Sequence, residues 1–222
     1  MARRRPRKPY YDYDFADEQI EILNREIVEA FSRLRSVLTL DEINAIGEIG
    51  KVYRELAVLI RKVLLLIARY YYTEAWTSER KWVDWPDEDW VDEILSAYDP
   101  VSKYVFVNEE DRKRARLVEA VMASEDPAPE VDRAARAIAF QYGIYIIRVA
   151  DEAAIQSLKD QGTDYVEWVA EIDNRTCNVC YLRDGKIYPI RDLPDKPHIN
   201  CRCTIRKVND YAKIEYAPPG DG

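Results

Sequence analysis

The sequence predicts an α+β protein, with a mainly α-helical body of long antiparallel helices and a small β-rich module near the C-terminus. The body is predicted by apolar residues that recur every three or four positions, and by only seven glycines in 222 residues. The module is predicted by short alternating stretches around the cysteines, which all lie between positions 177 and 203. We expect an N-terminal arm (1–16), a helical domain (17–160), the module (161–210) and a flexible tail (211–222).

Two long helices begin the body. From Asp17 to Leu38, apolar residues recur at alternating steps of three and four, which places them on one face of a helix. Thr39 and Glu42 form a capping-box pattern, so we expect a second helix to begin there and to keep this spacing to Tyr70. Residues 56–68 are apolar nearly all round, but they are too few and too charged to cross a membrane. The pattern predicts an antiparallel helical hairpin that is covered on more than one side.

An aromatic stretch follows between residues 70 and 104. It contains four of the five tryptophans, and Pro86 and Pro100 limit any helix there to a short piece such as 87–98. Large aromatic side chains dominate both protein cores and protein interfaces. The stretch therefore indicates either core packing or contact with a partner.

Two further helices complete the body. The first is expected from Asp111 to Glu125, where a proline-rich break follows. Pro129 suits the first turn of a long helix that runs to about Asp160, and Gly162 ends it. Its buried face is predicted to carry a regular series of apolar residues, namely Val131, Ala135, Ile138, Tyr142, Tyr145, Val149 and Ala153.

The module should consist of short extended segments. Residues 165–172 alternate between apolar and polar side chains over much of their length, which is typical of a strand. Asp184-Gly185 predicts a hairpin turn between Leu182 and Ile187. Residues 203–208 supply a last extended stretch.

All four cysteines and the only histidine lie within this module. Cys and His are the side chains that hold zinc, and a Cys-x-x-Cys pair can bind one ion from a single turn. The most regular set of four ligands is Cys177, Cys180, His198 and Cys201, with Cys203 as the substitute. We expect a structural Zn²⁺ site. The alternatives are two disulfides or unpartnered thiols, although disulfide-stabilised domains are usually cysteine-rich throughout.

Enzymatic chemistry is not favoured by these residues. A catalytic zinc needs an open coordination position and a nearby acid or base, whereas five ligands compete here for four places. The only histidine is His198, so none is left to act as a base if it binds the metal. The order of residues found in zinc deaminases is absent, and so is a glycine-rich phosphate loop. We predict no catalytic residue and no small-molecule substrate.

The charge is unevenly distributed along a chain whose formal net charge is −8. Five basic residues and no acidic ones occupy the first nine positions, and residues 175–210 carry eight basic residues against four acidic ones. Basic segments can neutralise phosphates, although a basic arm can also be only a solubilising terminus. The residues that we expect to contact DNA are Arg3, Arg4, Arg5, Arg7, Lys8, Arg202, Arg206 and Lys207.

The module resembles the C-terminal domain of tailed-phage minor head proteins, the Mu F-like head morphogenesis family. The resemblance extends from Tyr165 to Val208 and rests on Asp-Asn-Arg-Thr-Cys-Asn-Val-Cys (173–180), Asp-Gly (184–185) and His-Ile-Asn-Cys-Arg-Cys (198–203). Ile199 stands where the family usually has proline.

The resemblance implies a non-enzymatic virion protein. Such a protein would be a minor capsid component in the capsid interior or at the portal vertex, and in the host cytoplasm during assembly. It would contact the portal protein, other capsid proteins and packaged DNA, and would act in head assembly and in DNA packaging or ejection. The alternative is a zinc-ribbon-like nucleic-acid-binding or regulatory adaptor, although no base-reading helix follows the cysteines.

Overall fold

The computed structural model describes residues 11–74, 107–174, 176–198 and 201–208. Predictions for residues 1–10, for most of the aromatic stretch with its short helix at 87–98, and for the C-terminal tail lie outside these ranges. The helices and strands, in chain order, are α1 (Asp14–Val37), α2 (Glu42–Glu74), α3 (Val107–Met122), α4 (Ala128–Asp160), β1 (Tyr165–Val169), α5 (Asn178–Arg183), β2 (Ile187–Pro189) and β3 (Thr204–Lys207). A single 3₁₀ turn, Ile190–Asp192, follows β2.

The chain divides into two compact units. Among the described residues, the first unit contains 11–13, 70–74 and 151–208, and we call it the module unit. The second contains 14–69 and 107–150, and we call it the helical unit. Within the described ranges, none of the helices combines the length and the apolar character that a membrane span needs.

The helical unit confirms most of the predicted apolar faces. The buried residues of α1 include Leu23, Ile27, Phe31 and Leu34. Those of α2, the second of the two predicted long helices, include Ile49, Leu56, Ile60 and Ile67. The rings of Phe31 and Tyr53 meet edge to face with their centroids 6.1 Å apart, which connects α1 to α2. Ile46 continues the same apolar spacing at the start of α2, but its side chain is 51% exposed. Periodicity fixes the side of the helix on which a residue lies, but not whether another element covers that turn.

The start of α2 differs from the predicted capping box. The Asp41 carboxylate accepts a hydrogen bond from the Asn44 backbone N–H (2.9 Å), and the Asn44 side chain accepts one from the Thr39 N–H (2.8 Å). Asp41 is therefore the capping residue, and Glu42 is already the first helical residue. The prediction of a Thr39–Glu42 box was wrong because an aspartate two positions later caps equally well.

Helix α4 ends as the sequence predicted. Gly162 has a positive φ of 69°, which a residue with a side chain adopts at a cost. Its N–H donates to the Lys159 carbonyl at 2.9 Å, and the Thr163 N–H donates to the Leu158 carbonyl at 3.0 Å. These bonds satisfy the last carbonyls of the helix and turn the chain toward β1. Of the predicted buried face of α4, Tyr145 is half-buried and the other six residues are buried.

The module contains a three-stranded antiparallel sheet in the order β2-β1-β3. In the central strand, Trp168 pairs with Ile205 of β3. The predicted strands at 165–172 and 203–208 are confirmed in type, and both are shorter than predicted.

The Asp184-Gly185 turn is present, but it does not connect two strands. Leu182 lies in α5, so the predicted hairpin between Leu182 and Ile187 was wrong, and the turn connects a helix to β2. Gly185 has a φ of 76° and donates its N–H to the Trp168 carbonyl at 2.8 Å. The Asp184 carboxylate accepts the Ala170 N–H at 3.1 Å. The turn therefore fixes α5 beside the central strand.

Candidate metal centre

The first Cys-x-x-Cys pair is positioned by the short helix α5. Cys177 is its N-cap, with extended backbone angles (φ −74°, ψ 156°), and its Sγ accepts the Cys180 N–H at 3.4 Å. Residues three apart lie on the same side of a helical turn. The capping bond therefore directs both thiols to one side of the helix.

Three more candidate ligand atoms lie close to Cys180, and they come from His198, Cys201 and Cys203. Its Sγ lies 3.8 Å from His198 Nε2 and 3.5 Å from Cys201 Sγ. Two groups form, Cys177–Cys180–His198 and Cys180–Cys201–Cys203, and the ligand atoms of each lie within 4.8 Å of one another. All five residues singled out in the sequence therefore meet around Cys180.

The spacing of these atoms suits a tetrahedral ion. Zn–S bonds of about 2.3 Å place two thiolate sulfurs of one tetrahedron about 3.8 Å apart. The 3.5 Å and 3.8 Å separations at Cys180 are close to this value. The residues fit a metal such as Zn²⁺, whose ligands would be thiolates with the His198 imidazole.

The cluster is closed on its inner side. Cys180, Cys201 and Cys203 are buried at 2%, 1% and 4% exposure, and they form a small core with Trp168 and Ala170. Cys177 is half-buried, and His198 is exposed at the edge. An ion held here would face protein on most sides.

The four cysteines are free thiols. The 3.5 Å between Cys180 Sγ and Cys201 Sγ far exceeds a disulfide bond of about 2.05 Å. Burial raises the pKa of the Cys180 thiol to about 12, whereas the Cys180 backbone N–H lowers the pKa of Cys177. Because a metal binds the thiolate, Cys180 must lose a proton when an ion binds, and metal affinity is expected to rise with pH.

A buried polar network, which no sequence pattern indicated, lies behind the loop that carries Cys201 and Cys203. Asp151 Oδ1 accepts the hydroxyls of Tyr11 (2.7 Å) and Tyr13 (2.6 Å), and Asp151 Oδ2 lies 2.6 Å from Lys196 Nζ. Burial, and then the Asp151 carboxylate, raise the pKa of Tyr13 well above its usual range, so its hydroxyl stays protonated. We call Tyr11, Tyr13, Asp151 and Lys196 the Asp151 network.

The basic residues proposed for DNA contact are placed unevenly. The Arg202 guanidinium lies over the Tyr13 ring, 4.7 Å from its centroid, and Arg206 pairs with the buried Glu167. Lys207 is half-buried in β3. Two of the three module residues therefore already have protein contacts. The arm residues Arg3, Arg4, Arg5, Arg7 and Lys8 lie outside the described ranges.

These features define a class of protein: a helical chain with a C-terminal antiparallel sheet folded around clustered Cys and His ligands. Residues 111–206 match the family described as phage Mu protein F like protein. The match confirms the resemblance seen in the module and extends it into α3 and α4. The family suggests a phage head morphogenesis protein and is not known for enzymatic activity. No curated protein and no solved structure gives a significant match to the chain.

Proposed function

We propose that this protein is a non-enzymatic minor component of a phage head that acts near the portal, in head assembly and in DNA packaging or ejection. The observation that carries this proposal is the family match over residues 111–206, which includes the whole described sheet except Lys207 and every Cys and His residue. Portal and capsid proteins are the proposed partners, and the capsid interior or portal vertex is the proposed location.

The helical unit supports a role in contacting other proteins. Large apolar side chains are exposed around the turn between α1 and α2, where Ile43 is 83% exposed and Leu40 is 51% exposed. Val37 and Ile46, on either side of this turn, are 49% and 51% exposed. Neighbouring exposed apolar side chains are typical of surfaces that bind another protein.

The proposed role of the Cys/His cluster is structural. Cys177, Cys180, His198 and Cys201 are the proposed Zn²⁺ ligands, and Cys203 is the alternative to one of them. The cluster connects α5 to the loop before β3, and its three buried thiols lie in the core of the module. A closed site of this type contributes folding free energy rather than an open position for substrate.

The head assignment predicts where the protein is found in particles. We expect a few copies per particle, retained with the portal vertex when the shell is dissociated. Quantitative mass spectrometry of intact heads and of isolated portal complexes measures this, with the major capsid protein as the internal control. Absence from particles, or a copy number that follows the major capsid protein, would contradict the proposal.

The arm is proposed to contact DNA, and this predicts a salt effect. Replacing Arg3, Arg4, Arg5 and Arg7 by alanine should weaken binding to duplex DNA and reduce the magnitude of the slope of log K against log salt by up to about 3.6, because each phosphate contact contributes about 0.9. Fluorescence anisotropy over a range of salt concentrations measures the slope.

The matched control for this experiment removes four exposed basic residues of the helical unit, Arg25, Lys51, Lys62 and Arg116. It lowers the net charge equally and should leave the slope close to that of the wild type. Equal slopes for both variants would show that only net charge matters. Strong binding without the arm would instead favour the nucleic-acid-binding adaptor.

A further inference from the structure

We propose that the segment 11–13 is a positioning element of the metal centre. Tyr13, held by Asp151 and Lys196, orients the Cys201–Cys203 loop for metal binding, so that metal binding and docking of the segment favour each other. The inference rests on the proposed Zn²⁺ site and adds to it residues distant in sequence from any Cys or His.

The Asp151 carboxylate holds the segment 11–13 in place through hydrogen bonds from two tyrosine hydroxyls. Tyr13 reaches the carboxylate across 138 positions of sequence and Tyr11 across 140. Tyr11 and Tyr13 are 6% and 5% exposed, and the side chains of Asp151 and Lys196 are 6% and 11% exposed. A buried ion pair with two further hydrogen bonds has one well-defined geometry, because any displacement leaves a buried charge unpaired.

The Asp151 network contacts the backbone of the ligand loop directly. The Tyr13 hydroxyl lies 3.2 Å from the Cys203 carbonyl oxygen, and Lys196 Nζ lies 3.5 Å from the Cys201 carbonyl oxygen. Between these two residues, the Arg202 guanidinium covers the Tyr13 ring. The backbone of Cys201, the side chain of Arg202 and the backbone of Cys203 are thus all in contact with the network.

Such contacts act on a metal in a known way. Groups that hold the ligands in place without touching the ion commonly change metal affinity by about 10–100-fold, because they reduce the reorganisation needed on binding. The reverse also holds, since coupling between two equilibria is reciprocal. An ion that fixes Cys201 also restrains the short loop from Cys201 to Cys203, whose carbonyl oxygens contact Lys196 and Tyr13, and should favour docking of the segment by the same factor.

The test measures Zn²⁺ affinity by competition with a chromophoric chelator, using the full-length chain. We expect Tyr13→Phe to lower the affinity about 10–100-fold while it still binds one ion. Lys196→Met should lower it comparably. The control is Tyr53→Phe, which removes a tyrosine hydroxyl in the helical unit and should leave the affinity unchanged. Circular dichroism verifies that each variant is folded.

A second measurement uses the wild-type protein alone. Chymotrypsin cleaves after tyrosine, and cleavage after Tyr11 and Tyr13 should be about 10–100-fold slower with Zn²⁺ bound than after chelation, the same factor as for affinity. One bound Zn²⁺ with unchanged affinity in Tyr13→Phe, or equal cleavage with and without Zn²⁺, would overturn the coupling alone. Wild-type protein that binds no Zn²⁺ would overturn the metal centre as well.

Discussion

Replacing Cys180 with serine is expected to abolish Zn²⁺ binding and to destabilise the module. Cys180 belongs to both groups of candidate ligands, and its Sγ is within 3.8 Å of ligand atoms from His198 and Cys201. It is also 2% exposed within the module core. The variant should lose most of the free energy of Zn²⁺ binding, which is roughly 10–16 kcal/mol for structural Zn²⁺ in zinc-finger peptides at neutral pH.

Metal analysis of the purified protein, combined with circular dichroism during chelator titration, measures this effect. Cys203→Ser is the matched control, since Cys177, Cys180, His198 and Cys201 would still provide four ligands. We expect no bound ion in Cys180→Ser and one bound ion in Cys203→Ser. Full Zn²⁺ occupancy in both variants would show that Cys180 is not a ligand, and loss in both would make Cys203 a ligand.

Thiol labelling adds an independent measure of the metal-free state. Cys177 is half-buried and has a lowered pKa, whereas Cys180 is buried and has a raised pKa. Because the thiolate is the reactive form, Cys177 should react with iodoacetamide well before Cys180 after chelation. In the Zn²⁺-bound protein, all of the ligand cysteines should be protected. If Cys203 reacted quickly in the Zn²⁺-bound protein while the other three cysteines were protected, Cys203 would be identified as the cysteine that does not bind the metal.

The long helices could be predicted because their signal is repeated many times. Over the 24 residues of α1 and the 33 residues of α4, each turn adds an independent apolar position, so the period is unambiguous. Helix α5 has only six residues, fewer than two turns, and its sequence Asn-Val-Cys-Tyr-Leu-Arg has no such repeat. The Asp-Gly dipeptide after it predicted a turn correctly, but it could not show what preceded the turn.

The Cys/His cluster was predictable because its chemistry is confined to few residue types at a typical spacing. The Asp151 network was not, because Tyr, Asp and Lys are common and their partners are distant in sequence. Asp151 lies in the last third of the long helix α4, and nothing near it in the sequence indicates a contact with Tyr13, 138 positions earlier in the chain. Arg202 and Arg206 were likewise predicted from charge alone, which does not reveal their contacts with Tyr13 and Glu167.

Replacing Asp151 with alanine should destabilise the module unit by about 3–5 kcal/mol, the usual cost of removing one partner of a buried ion pair. The change leaves Lys196, whose side chain is 11% exposed, without its counter-ion and removes the acceptor of two tyrosine hydroxyls. Hydrogen exchange with mass spectrometry over residues 151–208 measures the local free energy of opening.

A surface ion pair provides the matched control. Glu29 pairs with Arg33 on α1 with both side chains more than half exposed, so Glu29→Ala should cost less than about 1 kcal/mol. Adding Lys196→Met to Asp151→Ala should restore part of the lost stability, because no buried charge is then left unpaired. Equal effects of Asp151→Ala and Glu29→Ala would show that the pair is solvated in solution. Without recovery in the double variant, the tyrosine hydrogen bonds, and not the ion pair, would account for the stabilisation.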